Sequence, residues 1–406
     1  MSEPADEPGA SFPMPRTCPF GMPPEYQKMR GEGGVTRVRM PDGSAVWAVS
    51  RYDLARELLM NEHLSVFRGH AAFPDVTGRG GARGSIQPKG MLTWMDPPEH
   101  SVYRRMLMNE FTFRRMGHLR EPIERFIDTR IDEVLAGPRP VDLVTALALP
   151  VTRKVICELL GIPEEQNDAF NVHLDRVLGA GTSNEDRAAS WGAVRSLVGD
   201  LIAEREARPA DDLISRLVVK YKEAVGAEVD YEVLIGLIMA LRTAGHESTA
   251  AMISTGLAVL LDNPVQFDQI KADRTLIPGA VEELLRFLSV ADRATARVTT
   301  ADIELGGTTI PAGEGVLVLN ASANHDEAVF DDPASFRLRQ DSARHLAFGY
   351  GIHQCIGQNL ARLEIEAVIE RLVARVPGLR LAVGVNELTF AQDSLFYSVA
   401  ELPVTW

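Results

Sequence analysis

Cysteine is scarce: Cys18, Cys157 and Cys355 are the only three in 406 residues. So sparse and odd a set is no disulfide framework, and it suits a reducing compartment. No apolar run approaches the ~18 residues of a membrane span. The N-terminus, MSEPADEPGASFPMPRTCPF, lacks the basic start and apolar block of a signal peptide. Positive charge is in deficit, with 42 Lys and Arg against 56 Asp and Glu, a formal net charge of −14. That balance argues against a nucleic acid or an anionic membrane held by bulk electrostatics. Internal repeats, low-complexity tracts and clean linkers are missing as well. These absences point to a soluble, cytoplasmic chain.

What is present is an ordinary globular composition, 45% hydrophobic and 24% charged, enough for a large core. Residues 1–16 are expected to be an extended or disordered segment, and residues 17–406 a single domain. Alternation on both sides of Pro41-Asp42-Gly43 predicts a hairpin, and RYDLARELLM a helix. Residues 67–91 show neither period and are rich in Gly and Arg, which fits a substrate-entry loop or a surface insertion. From Asp96 to Val290 the helical period dominates, with stops at Pro97-Pro98, Gly137-Pro138, Gly161, Pro209 and Pro264. The longest helix is expected from Asp230 to Leu261. Strand patterns return around Gly306-Gly307 and near the C-terminus. The fold class is mainly α with small β-sheets.

Chemistry concentrates in FGYGIHQCIG, residues 348–357. A thiolate at a helix start gains from the macrodipole and free N–H groups. Gly351 and Gly357 would let a planar group approach the backbone, and Phe348 could cover the sulfur. A lone cysteine is also commonly a small buried hydrophobe, and His353 could partner a catalytic thiol. A zinc site fails, because no second ligand pair lies at finger spacing.

Position by position, Phe348, Gly349, Gly351, His353, Cys355 and Gly357 resemble the haem-binding signature of the cytochromes P450. In that family the cysteine is the axial ligand of the iron. Upstream, AGHEST resembles the family's oxygen-activation motif, with Ser248 where Thr is usual and Thr249 next. Ala240, Ala244 and Ser248 share one helix face. Such a face can be ordinary close packing; beside a haem it gives room for porphyrin and dioxygen. Gly245 and the hydroxyls could loosen the helix there by competing for its carbonyls. Glu283 and Arg286 resemble the family's Glu-x-x-Arg pair, with Ser335, Gln340 and Arg339 as candidates for the third partner. His100, Arg104, Arg297 and His353 match the family's haem-propionate ligands.

The resemblance covers the chain from about Thr17 to Trp406. It implies the cytochrome P450 fold, with haem b between the Asp230 helix and the Cys355 helix. Cys355 is the implied metal ligand; Glu247, Ser248 and Thr249 are the implied proton-delivery residues. Ala244, Gly245, Phe348, Gly349 and Gly357 are implied to bind the cofactor with the four propionate ligands. The implied reaction is hydroxylation of a bulky hydrophobic molecule by dioxygen. Electrons would come from a ferredoxin and its NAD(P)H-dependent reductase, to a monomeric enzyme. The basic run YRRMLMNEFTFRRMGHLR, with Arg362, could dock that ferredoxin. Residues 67–91, 170–197, 291–296 and 395–396 would set substrate choice, with Phe73, Ile86, Leu92, Val290 and Leu395 giving an apolar pocket. A haem-thiolate sensor and a hydrolase with a Cys355 nucleophile are the rival readings.

Overall fold

The turn at Pro41-Asp42-Gly43 closes a hairpin between β2 (Val35–Arg39) and β3 (Ala45–Val49), and Gly43 takes φ +82° there. That left-handed value is open to glycine at no steric cost. The pair nucleates a six-stranded sheet in the order β1-β2-β3-β9-β6-β4. Its other strands are β1 (Ala10–Ser11), β4 (Leu64–Ser65), β6 (Ala296–Thr299) and β9 (Gly315–Val318). A second sheet joins β5 (Val141–Asp142) to β10 (Arg380–Leu381) and β11 (Pro403–Thr405). Gly306-Gly307 closes a hairpin of β7 (Ile303–Leu305) and β8 (Thr308–Ile310), as expected.

The structure is a computed structural model describing residues 9–16, 18–76, 88–178, 182–226, 228–338, 342–391 and 394–406. Its helices are α1 (Pro24–Gly31), α2 (Tyr52–Leu59), α3 (Glu99–Met108), α4 (Phe113–Gly117), α5 (Arg120–Ala136), α6 (Leu149–Leu160) and α7 (Glu164–Leu178). They continue with α8 (Asn184–Ala207), α9 (Leu213–Val225), α10 (Tyr231–Asp262), α11 (Pro264–Ala272), α12 (Ile277–Leu288), α13 (Asn320–Ala323) and α14 (Gln358–Arg375). The expected long helix is α10, displaced by one residue at each end. Among the described residues no helix is long and apolar enough to cross a membrane.

The chain packs as two units. One comprises Met1–Ile86, Phe113–Val151 and Glu247–Trp406; the other comprises Gln87–Thr112 and Thr152–His246. Every strand of the described residues lies in the first unit, and the second is helical.

In the first unit, register assigns each strand residue to one of two cores. Ala296 and Val298 face a cluster with Val38, Val46, Ala48, Leu317 and Tyr26. Val316 and Val318 face the opposite cluster with Val49, Tyr52, Leu58 and Phe330. Arg297 is paired directly with Val316 across β6 and β9, so it shares that side of the sheet.

In the second unit, Gly161 ends α6 at φ +85°, where an added Cβ would lie 2.4 Å from the Asp212 Cβ. Asp212 itself caps α9 by accepting from the Ser215 N–H at 2.8 Å.

Three expectations are revised. The N-terminal segment is expected to be disordered or merely extended, yet Ala10–Ser11 form β1, which pairs with β2, and Phe12 and Met14 are buried in the core. Proline-rich composition concealed two anchoring apolar side chains. Among the described residues the C-terminal alternation yields β10, β11 and one bridge, Phe390 to Val399, beside which the Phe390 and Tyr397 rings stack. Phe73, expected to line a pocket, packs instead in the sheet core beside Phe12 and Val298. Of residues 67–91, positions 77–87, with Ile86, lie outside the described residues.

Candidate functional site: a cysteine turn and a small-residue helix

The cysteine sits on a turn whose shape two glycines dictate. Gly349 and Gly351 have φ +68° and +74°, values that disfavour any side chain. At Gly351 an added Cβ would also lie 2.3 Å from the Leu59 carbonyl oxygen at the end of α2. The close approach at that glycine is thus the chain's own backbone rather than a planar group. The Cys355 N–H donates to the Phe348 carbonyl at 2.8 Å, closing the loop. Helix α14 begins at Gln358 after Gly357, three residues beyond the sulfur. Cys355 is exposed, whereas Cys157 is buried; the reading of Cys355 as a buried hydrophobe therefore fails. An added Cβ at Gly357 would stand 4.0 Å from the Cys355 sulfur, so glycine keeps that side open.

Phe348 is half-buried, between the side chains of Arg362 and His345 rather than in the core. The Arg362 guanidinium stands 4.6 Å above its ring and the His345 ring 5.8 Å from it. Arg362 in turn grips Glu282 at 2.5 and 3.1 Å. Burial alone would raise the Glu282 carboxyl, but hydrogen bonds from His345 and Arg362 outweigh it and hold it near 2. This corrects the assignment of Arg362 to a docking patch: its charge is neutralised by a carboxylate 80 residues away in sequence. Arg120 is similarly engaged, by Glu124, Glu366 and Glu370. Arg105, Arg114 and His118 remain exposed.

The Glu283–Arg286 pair is fully buried on α12, with two guanidinium–carboxylate contacts of 2.8 Å. Arg286 also donates to the carbonyls of Asn324, Pro333 and Ser335 at 2.9, 3.0 and 3.4 Å. Glu283 accepts from the Arg337 N–H at 3.1 Å and from the Ser342 hydroxyl. The pair thus tethers the segment ahead of the cysteine turn. Its partners are main-chain atoms and Ser342, which side-chain patterns do not announce. Arg339 and Gln340 lie outside the described residues.

Helix α10 carries the other motif. Ala240 is buried, Ala244 and Glu247 are exposed, Ser248 is half-buried and Thr249 is buried. The stripe extends one turn earlier to Gly236, where an added Cβ would meet the Lys89 carbonyl at 1.9 Å. Hydroxyls that compete for helix carbonyls include that of Thr243, which donates to Met239 at 2.8 Å and Ala240 at 3.3 Å, and that of Ser254, which donates to Ala250 at 2.9 Å and Ala251 at 3.2 Å. Nevertheless α10 is assigned as helix throughout.

His246, unassigned by sequence reasoning, locks this turn against α6. Its Nδ1 lies 2.9 Å from the Thr152 hydroxyl, and its Nε2 accepts from Arg153 Nε at 3.1 Å. Accepting at Nε2 fixes the Nδ1–H tautomer. Burial, then Arg242 and Arg153, lower its pKa to about 3, so the ring is neutral. The only sequence signal was its place inside AGHEST; its partners are 93 and 94 residues away.

His100 and Arg104 lie one turn apart on α3, with His100 buried. Burial, and next Arg104, lower His100 to about 4. In the other unit Arg297 donates to the Ala296 carbonyl at 2.8 Å from β6, and His353 closes the short turn Gly351–His353. Each unit by itself carries groups whose chemistry fits haem: Cys355, Arg297 and His353 in the first, His100, Arg104 and the small residues Ala244 and Gly245 in the second. The thiol suits the iron, the cations suit two carboxylates, and the missing side chains suit a flat macrocycle.

The family model for cytochrome P450 matches residues 200–376. Cytochrome P450 105A3 of Streptomyces carbophilus is 42% identical over 397 residues, spanning 98% of this chain and 96% of that protein. The chain belongs to the cytochrome P450 family. Vitamin D3 dihydroxylase of Streptomyces griseolus is also 42% identical, over 98% of this chain and 97% of that protein. The crystal structure of cytochrome P450 MoxA from Nonomuraea recticatena aligns at TM-score 0.90 and 42% identity, covering 98% of both chains. This P450 therefore has the family's mainly helical fold and its haem b cofactor, and it is a monooxygenase. The sensor and hydrolase alternatives fall.

Proposed function

We propose that this P450 hydroxylates a bulky apolar small molecule in the cytoplasm, as a monomer, with Cys355 as the residue whose thiolate would hold the haem iron. The observation that carries the assignment is the exposed sulfur on a turn that Gly349 and Gly351 hold in shape. Haem bound through a thiolate supplies the activation of dioxygen and the insertion of one of its atoms into a C–H bond.

The chain's own residues then divide the remaining work. Arg297, His353, His100 and Arg104 are the residues that would pair with the haem propionates. Ala244, Gly245, Gly349 and Gly357 leave room for the macrocycle, and Phe348 packs beneath the turn. Glu247, Ser248 and Thr249 run from exposed carboxylate to half-buried hydroxyl to buried hydroxyl. This gradient suits proton entry at the Glu247 carboxylate and transfer through the Ser248 oxygen. Serine lacks the methyl that would restrict its rotamer, so the relay is less rigidly aimed than with threonine.

An apolar substrate is supported by the side-chain chemistry of Leu92, Val290 and Leu395. Two relatives carry their substrates in their names: the vitamin D3 enzyme above and mycinamicin VIII C21 methyl hydroxylase from Micromonospora griseorubida. The latter is 34% identical at TM-score 0.88, and its structure holds mycinamicin VIII. Exposed Arg105, Arg114 and Phe113 suit an acidic ferredoxin served by an NAD(P)H-dependent reductase.

The decisive test is spectral. The reduced carbon monoxide complex should show the red-shifted thiolate band, and Cys355→Ala should abolish it. A band retained in that variant would overturn the ligand assignment. Apolar natural products that shift the spin state and are then oxidised with a ferredoxin system would identify the substrate class.

A further inference from the structure

The N-terminal segment reaches the loops that the proposed function assigns to substrate. Tyr26 of α1 is buried, and its hydroxyl donates to Asp292 Oδ2 at 2.5 Å. The other oxygen of Asp292 accepts from the Ala321 N–H at 2.8 Å. Asp292 sits in the short turn between α12 and β6, within residues 291–296. Arg16 donates to the Leu288 carbonyl at 3.3 Å, where α12 ends, and its guanidinium lies 4.1 Å over the Tyr397 ring. The Tyr397 hydroxyl returns to the segment, donating to the Pro19 carbonyl at 2.8 Å.

The two loops are also bonded to each other. The Tyr397 N–H donates to the Val290 carbonyl at 2.9 Å, and Arg293 donates to the Ser394 carbonyl at 3.2 Å. The space these groups enclose is about 20 Å³, room for about one water. It is too small for an organic ligand, so the cluster works on its surroundings.

We propose that Arg16, Tyr26 and Asp292 are positioning residues, a clamp through which the N-terminal segment sets the shape of loops 290–296 and 394–397 and hence substrate selectivity. The inference rests on the reading that these loops face the substrate. A backbone loop without regular hydrogen-bond partners keeps one shape only where side chains fix it. Here each loop has its own fixing group from residues 16–26. Losing one such bond leaves its buried partner unsatisfied, which is ample to change a loop's preferred conformation.

The test uses the haem-loaded enzyme and two iron-coordinating probes read by Soret titration: 4-phenylimidazole, which is compact, and ketoconazole, which is long enough to reach the loops. Tyr26→Phe and Arg16→Gln should each weaken ketoconazole by about fivefold or more, a loss of roughly 1 kcal/mol, and move 4-phenylimidazole by less than about twofold. The carbon monoxide band should stay at full intensity in both. Leu395→Ala tests the underlying reading. If it weakens ketoconazole while neither clamp variant does, the clamp is overturned and the loop assignment stands. If Leu395→Ala has no effect, the loop assignment falls and takes the clamp with it. Arg16→Gln decides independently should Tyr26→Phe fail to load haem.

Discussion

Arg286 and Arg242 are both fully shielded from solvent, but their charges meet very different surroundings. Arg286 faces a carboxylate in two-point contact and three main-chain carbonyls. Arg242, on α10, donates to the Asn171 side chain and the Cys157 thiol, and stands 5.7 Å from the Phe170 ring. Among the described residues Arg242 forms no ion pair with a carboxylate. Burial accordingly lowers the Arg242 guanidinium, and raises the Cys157 thiol beside it. Each arginine also has a depressed histidine for a neighbour. Burial and Arg286 lower His325 to about 3, as burial and Arg242 lower His246. The lesson is that depth alone does not set what a buried charge contributes. The partner it would strand does.

The contrast can be broken most directly at Glu283. Glu283→Ala leaves Arg286 buried and uncompensated and should cost about 3–5 kcal/mol in urea unfolding of the holoenzyme. A loss below about 1 kcal/mol would mean that the carbonyls alone satisfy Arg286.

Acid should act next. The unfolded chain protonates these histidines near 6.5, but the folded protein does so only near 3. Stability is therefore full above about pH 6.5 and declines as pH falls toward 3, by about 2 kcal/mol per ring at pH 5. His246→Gln and His325→Gln should each flatten their own share of that slope, read from unfolding midpoints between pH 5 and 7. An unchanged slope in both would refute the buried neutral rings.

The smallest effect belongs to Arg242. With no carboxylate left behind, Arg242→Met should be neutral or stabilising by up to about 1 kcal/mol, and should raise the His246 pKa in an NMR titration. A loss as large as that of Glu283→Ala would erase the distinction between the two arginines.

What the sequence made legible follows the same divide. Cys355, its flanking glycines, the AGHEST turn and the Glu283–Arg286 spacing are local patterns, and the structure gives each a definite local geometry. The hairpin turns and the span of α10 were equally plain, since period and glycine placement act over a few residues. His246 and Arg242 were missed because Thr152, Cys157 and Asn171 come from α6 and α7. Arg362 looked like a surface charge because nothing nearby in sequence reveals Glu282. Phe73 looked like a pocket residue because an apolar ring is buried in a core or a cavity alike. Tyr26 and Asp292 are 266 residues apart, and neither carries a motif.

The steric conflict between any side chain at position 351 and the Leu59 carbonyl has one more result. The outline of the loop is drawn by main-chain atoms four residues ahead of the sulfur, so donor identity and donor placement are separable. Under the proposed ligation, an exchange at Cys355 would retune the electron release that a bound iron would feel, on an unaltered scaffold. A single methyl at Gly351 would do the reverse, keeping the donor atom and misaiming it.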